Sequence, residues 1–443
     1  MIKNVLKQIL KRVNIKQLFK SEYARDASTL MIGTTIGMII TMAASPILSR
    51  LYGDSDFGVL QLFSSAYTIL CIIATLRFEL AILLPKDDSD GFNVLMASCG
   101  SSIIIGALMQ LGVFAINIFD ISLFGLNQLT WLNFLPAVVT IMSLYNSFNY
   151  WMNRRKRYFN LAINRIIQNF LVVAISILLS EKLIYVPNGM LWAYIGGYGV
   201  VTILLVIYTI QDYKRLSLKM DFKGILKMAK RYRRFPISSM PTGLINNLAV
   251  QMPVFILTSR FGEGFIGQYY MMNRVLGTPV SIVGQAIGDV FRQKSSQSYA
   301  EKGECKQLYF STAKALALAS CVPFLFLMIV ARPAFTFILG DEWTLAGTFV
   351  VLLAPFYFIR LVVSPLTSMT IVAEKQTFEL IWQSTLCIVT SGAMLLSAYF
   401  FPPNGGNFPC YAVMCSYALA YSIMYGLHFI YTSQLAKGKK LWG

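Results

Sequence analysis

Residues 57–84 read FGVLQLFSSAYTILCIIATLRFELAILL and indicate the class of protein. A helix needs about 20 mostly apolar residues to cross the hydrocarbon core of a bilayer. This stretch is longer than that, and its only charged residues are Arg77 and Glu79. It therefore predicts a membrane-spanning helix.

Eleven further stretches of the chain have the same character. They are residues 28–50, 91–117, 128–150, 158–180, 187–210, 236–259, 267–291, 307–331, 344–370, 376–400 and 410–434. The connectors between them are short, apart from a basic stretch at 211–235 and a hydrophilic loop at 292–306. The sequence thus predicts an all-α polytopic membrane protein with about twelve transmembrane helices and no folded soluble domain.

The composition of the chain supports this class. Of its 443 residues, 56% are hydrophobic and 13% are charged, whereas soluble domains carry about 25% charged residues. The net charge is nevertheless +18, from 38 Lys and Arg against 20 Asp and Glu. Such an apolar chain, with 31 Phe and 23 Tyr, is neither a nucleic-acid-binding protein nor a disordered basic tail.

Most of the positive charge is explained by topology. With a cytoplasmic N-terminus, 29 of the 38 basic residues fall in cytoplasmic segments. The outer loops hold only Arg50, Lys182, Arg260 and Arg332. Because basic loops are retained in the cytoplasm, both termini are predicted to be cytoplasmic.

Two basic segments are predicted to lie along the cytoplasmic surface and to meet anionic membrane lipids. Within residues 1–27, apolar residues recur at helical spacing and lysines occupy another face. In the linker 211–235, Phe222 and Leu226 are flanked by Lys223 and Lys227.

A short motif repeats in the outer loops. Gly53-Asp54 is followed by Gly58, and the same pattern returns 209 residues later in the segment 262–267, each time after a Ser-Arg pair. Two parallel repeats of six helices are an arrangement of transporters. The sequence therefore predicts six-helix lobes at 28–210 and 236–434, joined by the 211–235 linker and followed by a cytoplasmic tail at 435–443.

Ionisable side chains within the predicted spans are the candidate binding residues. Such residues are rare in membranes and mark cavities, although structural ion pairs and side chains that reach the interface are alternatives. They are Arg77, Glu79, Arg165, Arg274, Lys314 and Arg360; Asp289 and Glu379 lie near span ends. Arg77 and Glu79 are two residues apart in a predicted helix, so we expect them not to pair. The spans hold five cations but only one deep carboxylate, so the cations cannot all be paired inside the protein. This excess predicts a cavity that accepts an anion such as pyrophosphate.

The fifth predicted span also carries a polar stripe. Asn160, Asn164 and Gln168 recur at helical spacing beside Arg165. A polar stripe on an otherwise apolar helix favours contact with a water-filled lumen. Asn164 and Gln168 are therefore added to the candidate substrate-binding residues.

Catalytic signals are weak throughout the sequence. It contains no nucleotide-binding GxxxxGK[ST] motif, and its single histidine, His428, lies in the last span, where a packed or interfacial role is expected. The acidic run 87–90 is expected to be a solvated cytoplasmic turn. We therefore expect no enzyme activity, catalytic residue, metal or cofactor, and leave open whether H⁺ or Na⁺ is a coupling ion.

Residues 45–53, 56–58 and 74–85 resemble a known family, the bacterial polysaccharide-biosynthesis flippases. These are the Wzx-type O-antigen and capsule translocases of the multidrug/oligosaccharidyl-lipid/polysaccharide exporter superfamily. The resemblance implies two six-helix lobes around a central cationic cavity in the bacterial inner membrane. It also implies translocation of undecaprenyl-pyrophosphate-linked oligosaccharide to the periplasmic leaflet, as in lipopolysaccharide synthesis. Arg77 and Glu79 lie in the matching motif.

Two other functions remain open from the sequence. A multidrug exporter of the same architecture would favour deep carboxylates for cationic drugs, and Glu79 is the main one here. A membrane glycosyltransferase or polysaccharide polymerase would need a catalytic outer loop, and the predicted outer loops are short. Partnership of a flippase with polysaccharide polymerase or assembly machinery is a further expectation.

Overall fold

The computed structural model describes residues 22–118, 130–373, 375–403 and 406–438, and this part of the chain contains helices and no strand. The predicted all-α class is confirmed. Residues 1–21 of the predicted interfacial segment 1–27 lie outside the described residues, and residues 22–27 begin the first described helix.

In chain order the α-helices are α1 (Glu22–Ala43), α2 (Ser45–Leu48), α3 (Asp54–Thr75), α4 (Phe78–Ala81), α5 (Asp88–Ile118), α6 (Leu135–Arg154), α7 (Tyr158–Leu178), α8 (Gly189–Arg215), α9 (Phe222–Arg231), α10 (Met240–Phe261), α11 (Glu263–Met272), α12 (Thr278–Lys302), α13 (Lys306–Leu339), α14 (Thr344–Val363), α15 (Met369–Val372), α16 (Gln376–Phe400) and α17 (Phe408–Ala436). π-Helical turns at Phe235–Ser239 and Asn273–Gly277 lead into α10 and α12. The 3₁₀ turns lie at Thr130–Asn133, Asp341–Trp343 and Ser364–Ser368.

Ten helical segments among the described residues are long and apolar enough to cross a membrane. The fourth and eighth predicted spans are not among them, although they are helical: the fourth contains α6, and the eighth runs from α11 into α12. Large apolar side chains are exposed on the long helices, including Phe337 at 86% and Ile329 at 77% on α13. Small polar side chains are buried instead, as in the 2.7 Å hydrogen bond between the Ser98 and Ser147 hydroxyls. This distribution is that of a multi-pass membrane protein.

The described residues form two compact units. Unit 1 lies within Met1–Ser45, Leu70–Ile121 and Leu129–Pro241, and unit 2 lies within Pro46–Ile69 and Thr242–Gly443. The lobe boundaries predicted from the sequence repeat stay a prediction.

Unit 1 is organised around Trp151 of α6, whose side chain is fully buried. The Phe92 ring lies edge-on to it at 5.5 Å, and the indole Nε1–H donates to Asp212 Oδ2 at 3.2 Å. Asp212 on α8 also pairs with Arg157, the residue before α7. One buried carboxylate therefore joins α6, α7 and α8.

In unit 1, arginines of α6 and the residue after it bind the acidic run 87–90, which the sequence predicted to be a solvated turn. The Arg154 guanidinium donates to the carbonyl oxygens of Ile82 and Pro85 at 3.1 and 2.8 Å, and to Asp88 Oδ1 at 3.1 Å. Arg155 bonds the other oxygen of Asp88 at 2.6 Å. Asp88 is therefore bound by two arginines.

In unit 2 the two copies of the repeated loop motif pack against each other. A Cβ added to Gly58 would lie 2.0 Å from the backbone oxygen of Glu263, and one added to Gly267 would lie 1.8 Å from that of Asp54. Gly58 corresponds to Gly267 in the repeat, and Asp54 corresponds to Glu263, so the contact is reciprocal. Each of these two glycines packs on the backbone of the acidic residue in the other copy. The motif therefore needs glycine at this position, because any side chain would keep α3 and α11 apart.

Side chains secure the same contact. Gln268 donates to Asp54 Oδ2 at 3.1 Å, and Trp343 Nε1–H donates to the Ser49 carbonyl at 3.3 Å. The Phe57 ring packs edge-on against Trp343 at 5.1 Å. These contacts join residues 49–58 to α11 and to the turn before α14.

Candidate functional site

The first group of candidate residues lies at a break in the predicted span 57–84. Helix α3 ends at Thr75, and the next two residues, Leu76 and Arg77, have φ of 51° and 61°. The prediction of one continuous helix is therefore wrong. Left-handed conformations of residues other than glycine cost about 1–3 kcal/mol each and persist only where the surroundings impose them. The Arg77 N–H donates to Thr75 Oγ1 at 3.3 Å across the break.

The break in the helix brings the side chains of Arg77 and Glu79 together. Arg77 Nη1 lies 3.5 Å from Glu79 Oε1, so the expectation that the two do not pair is wrong. That expectation assumed the 100° step of a regular helix, which the left-handed residues abolish. Glu79 is buried, and its Oε2 and the Arg77 Nε have no hydrogen-bond partner in the described part of the chain. Tyr150 of α6 interacts electrostatically with both side chains.

The polar stripe of α7 divides between two environments. Asn164 and Gln168 are buried, and Gln168 accepts a hydrogen bond from the Tyr145 hydroxyl at 2.9 Å. Neither side-chain polar atom of Asn164 has a partner among the described residues. Arg165 is exposed and donates to Thr34 Oγ1 of α1 at 2.9 Å. Whether this stripe contacts substrate stays a prediction.

The second group centres on Arg360 of α14 in unit 2. Arg360 lines a cavity of about 290 Å³. The lining residues are Ser281, Gly284, Gln285, Gly288, Asp289, Arg292, Arg360, Ser364, Pro365, Ser368 and Tyr425. Asp289 and Arg292 pair with each other at 3.2 Å, which leaves the Arg360 charge in excess. The lining is therefore polar and net positive.

Tyrosines surround Arg360. The guanidinium carbon lies 5.7 Å from the Tyr357 ring, and the hydroxyls of Tyr417, Tyr421 and Tyr425 on α17 interact with it electrostatically. Phenols are neutral at physiological pH, so they solvate the cation without neutralising it. The sequence reasoning missed this cluster, although Tyr417, Tyr421 and Tyr425 recur at helical spacing.

The remaining candidates in unit 2 do not line this cavity. Arg274 is half-buried in the π-helical turn that leads into α12, with its guanidinium carbon 5.9 Å from the Tyr270 ring. Lys314 is exposed on α13. The structure thus brings only Arg360, of the predicted cations of unit 2, into the described cavity. No cluster of potential metal ligands is found among the described residues.

Comparisons with known proteins agree with this architecture. Residues 47–347 match the family model described as polysaccharide biosynthesis protein. No curated protein sequence matches the chain.

Solved structures share the fold at low sequence identity. An inward-facing multidrug resistance MATE family transporter of the MOP superfamily aligns with a TM-score of 0.71 at 13% identity, covering 94% of this chain and 100% of its own. The lipid II flippase MurJ in an inward closed conformation aligns with a TM-score of 0.70 at 12% identity, covering 91% of this chain and 86% of its own. A MOP superfamily transporter from Pyrococcus furiosus, whose binding pocket is described as having reverse polarity, gives 0.61 at 14% identity over 96% of this chain and 98% of its own.

The chain therefore has the two-lobe fold of MATE and MurJ transporters. Because the family model spans more than half of its length, the chain belongs to the polysaccharide biosynthesis protein family.

Proposed function

We propose that this protein is a flippase that carries undecaprenyl-pyrophosphate-linked oligosaccharide repeat units across the bacterial inner membrane by alternating access. The glycan would be an O-antigen, capsule or related repeat unit. The observation that carries the proposal is the Arg360 cavity, where a guanidinium without a carboxylate partner in the described lining meets hydroxyls of serine and tyrosine. The planar fork of arginine binds phosphate oxygens in pairs, so pyrophosphate suits it.

The other candidate residues complete the proposed substrate path. Arg77, Arg165, Arg274 and Lys314 would add positive charge along it, while Asn164 and Gln168 would hydrogen-bond sugar hydroxyls. Glu79 would orient Arg77 through their ion pair. Membership of a polysaccharide biosynthesis family and the shared fold of a lipid II flippase support this substrate class.

The proposal includes a topology and partners. Both termini would be cytoplasmic, and the basic helix α9 would lie against anionic lipid headgroups. Phe222 and Leu226 of α9 are 78% and 63% exposed beside its lysines, as an interfacial helix requires. Polysaccharide polymerase or assembly machinery would receive the product.

A multidrug exporter is the second candidate, because a multidrug resistance MATE transporter shares the fold. Cationic drugs need a net negative cavity, but Glu79 is paired with Arg77 and the Arg360 cavity is net positive. The charge of the described cavity thus favours an anionic substrate. An enzymatic role is a weaker proposal, because the structural neighbours reported above are transporters.

The proposal is tested by separate alanine substitutions of Arg77, Arg274 and Arg360 in the native strain. We expect loss of surface polysaccharide while immunoblots of membranes show unchanged amounts of protein. Arg332→Ala is the matched control, because Arg332 is an exposed arginine on α13 that does not line the Arg360 cavity. Normal polysaccharide in all three variants would overturn the role of the cations.

A further inference from the structure

Unit 2 contains an acid–base pair, a buried histidine beside a half-buried glutamate, that the proposed anion cavity does not use. His428 of α17 is 2% exposed, and its Nε2 lies 3.7 Å from Glu379 Oε2 on α16. This nitrogen has no hydrogen-bond partner among the described residues. A buried imidazole nitrogen facing a carboxylate at this distance has room to take up a proton and then to bond the carboxylate.

Glu379 is held by two neutral donors. Thr370 Oγ1–H of α15 donates to Oε2 at 3.1 Å, and Gln383 Nε2–H donates to Oε1 at 3.0 Å. A proton on His428 Nε2 would compete with Thr370 for the same oxygen.

Aromatic rings enclose the other sides of the imidazole. The Trp382 ring stacks on it at 4.7 Å with an interplanar angle of 21°, and the Phe378 ring lies 6.2 Å away. The ionisable side chains on the helices packed around it include Glu379 on α16, Lys375 just before α16, Tyr357 and Arg360 on α14, Tyr309 on α13, and Tyr421, Tyr425 and Tyr431 on α17 itself. Of these, Glu379 is the carboxylate that lies 3.7 Å from His428 Nε2, and the two become an ion pair only when the imidazole carries a second proton.

The pair is connected to the Arg360 cavity by a short path. Thr370 lies two residues after the 3₁₀ turn Ser364–Ser368, and Ser364, Pro365 and Ser368 of that turn line the cavity. On the other side, Tyr425 lines the cavity and interacts electrostatically with both Arg360 and Glu379. A change in the Thr370–Glu379 bond therefore acts on one wall of the cavity.

We propose that Glu379 and His428 form a proton-binding site that couples proton uptake to the Arg360 cavity. The proton adds to the lone pair of His428 Nε2, the resulting imidazolium donates to Glu379 Oε2, and the Thr370 hydroxyl is released from that oxygen. Loss of the proton reverses each step, so no other reactant is consumed. The coupling to transport rests on the proposed flippase function, whereas proton binding is measured without substrate.

The experiment uses the single histidine of the chain. The full-length protein, labelled with ¹⁵N-histidine and placed in lipid nanodiscs, gives one imidazole signal to follow by NMR from pH 4.5 to 9. We expect this signal to titrate, and Glu379→Gln to move the midpoint to lower pH by about one unit or more, because an imidazolium loses its countercharge. Glu301→Gln, which removes an exposed carboxylate of α12 that does not line the Arg360 cavity, is the matched control and should leave the midpoint unchanged.

Tryptophan fluorescence gives an independent reading. An imidazolium stacked on Trp382 quenches its emission, so acid quenching should follow the NMR midpoint and disappear in Trp382→Phe and in His428→Gln. A histidine signal that does not titrate, or the same midpoint in Glu379→Gln as in the native protein, overturns the proposal. A signal that responds to replacing K⁺ by Na⁺ at constant ionic strength, but not to pH, assigns the site to sodium and also overturns it. Titration as predicted with no lipid flipping would contradict the flippase proposal alone.

Discussion

The reciprocal glycine contact offers a sharp test of the packing in unit 2. In Gly267→Ala the new methyl carbon would lie 1.8 Å from the Asp54 backbone oxygen, more than 1 Å inside the closest approach of real atoms. Backbone oxygens cannot rotate away, so α3 and α11 must separate. Overpacking of this kind costs about 1–3 kcal/mol, which corresponds to a 5- to 150-fold rise in the population of the separated arrangement.

Hydrogen–deuterium exchange with mass spectrometry measures this change in the purified protein. Peptides from residues 46–58 and 259–270 should exchange about 5- to 150-fold faster in Gly267→Ala, while peptides from unit 1 keep their rates. Gly58→Ala should have the same effect on both segments, because its methyl carbon would lie 2.0 Å from the Glu263 oxygen. Gly112→Ala on α5 is the control, since no atom lies within 4 Å of the added carbon. Unchanged exchange in both folded glycine variants would refute the contact.

Three further variants probe the polar contacts of both units. Arg154→Lys keeps the charge but loses the guanidinium fork that binds the 82–88 turn, so thermal melting in detergent should show about 1–3 kcal/mol lower stability. Asp212→Asn leaves Arg157 without its charge partner, and a loss of about 1–3 kcal/mol is expected in the same melting assay. Asp221→Asn is the charge-matched control, because Asp221 is exposed and its side chain caps no helix. Burial, and then the charge of Asp56, raise the pKa of Glu263 above its usual 4.5. Because the pKa of Glu263 is higher in the folded protein, protonation favours the folded arrangement, and the contact between α3 and α11 should strengthen as the pH falls from neutral through that pKa. Glu263→Gln should therefore slow hydrogen–deuterium exchange of residues 259–270 at pH 7 and remove this pH dependence.

Hydropathy and length predicted most of the helices, because the bilayer requires long apolar segments whatever their neighbours are. The interruption at Leu76 and Arg77 was not predictable in this way. Helix breaks are usually marked by Gly or Pro, and neither occurs at this position. The ion pair of Arg77 with Glu79 depends on that break, so it was missed with it.

The candidate cations could be identified because a charged residue stands out within an apolar span. The residues that surround them in the fold could not be identified from the sequence. Tyr417, Tyr421 and Tyr425 count as apolar residues in a hydropathy pattern, although they interact electrostatically with Arg360. Pairing of His428 with Glu379 joins two different helices, and local spacing carries no information about such contacts. The repeated loop motif was found from spacing alone, and its reciprocal glycine contact became visible only in three dimensions.

The proposed flippase activity is measured as movement of a defined lipid-linked oligosaccharide by the purified protein in liposomes. We expect transfer of undecaprenyl-pyrophosphate-linked oligosaccharide between leaflets by the native protein and by Arg332→Ala, and its loss in Arg360→Ala. A pH gradient should change the rate in the native protein but not in His428→Gln. Transfer by Arg360→Ala at the native rate, or no transfer by the native protein under any ion gradient, would show that this protein does not flip lipid-linked oligosaccharide through Arg360.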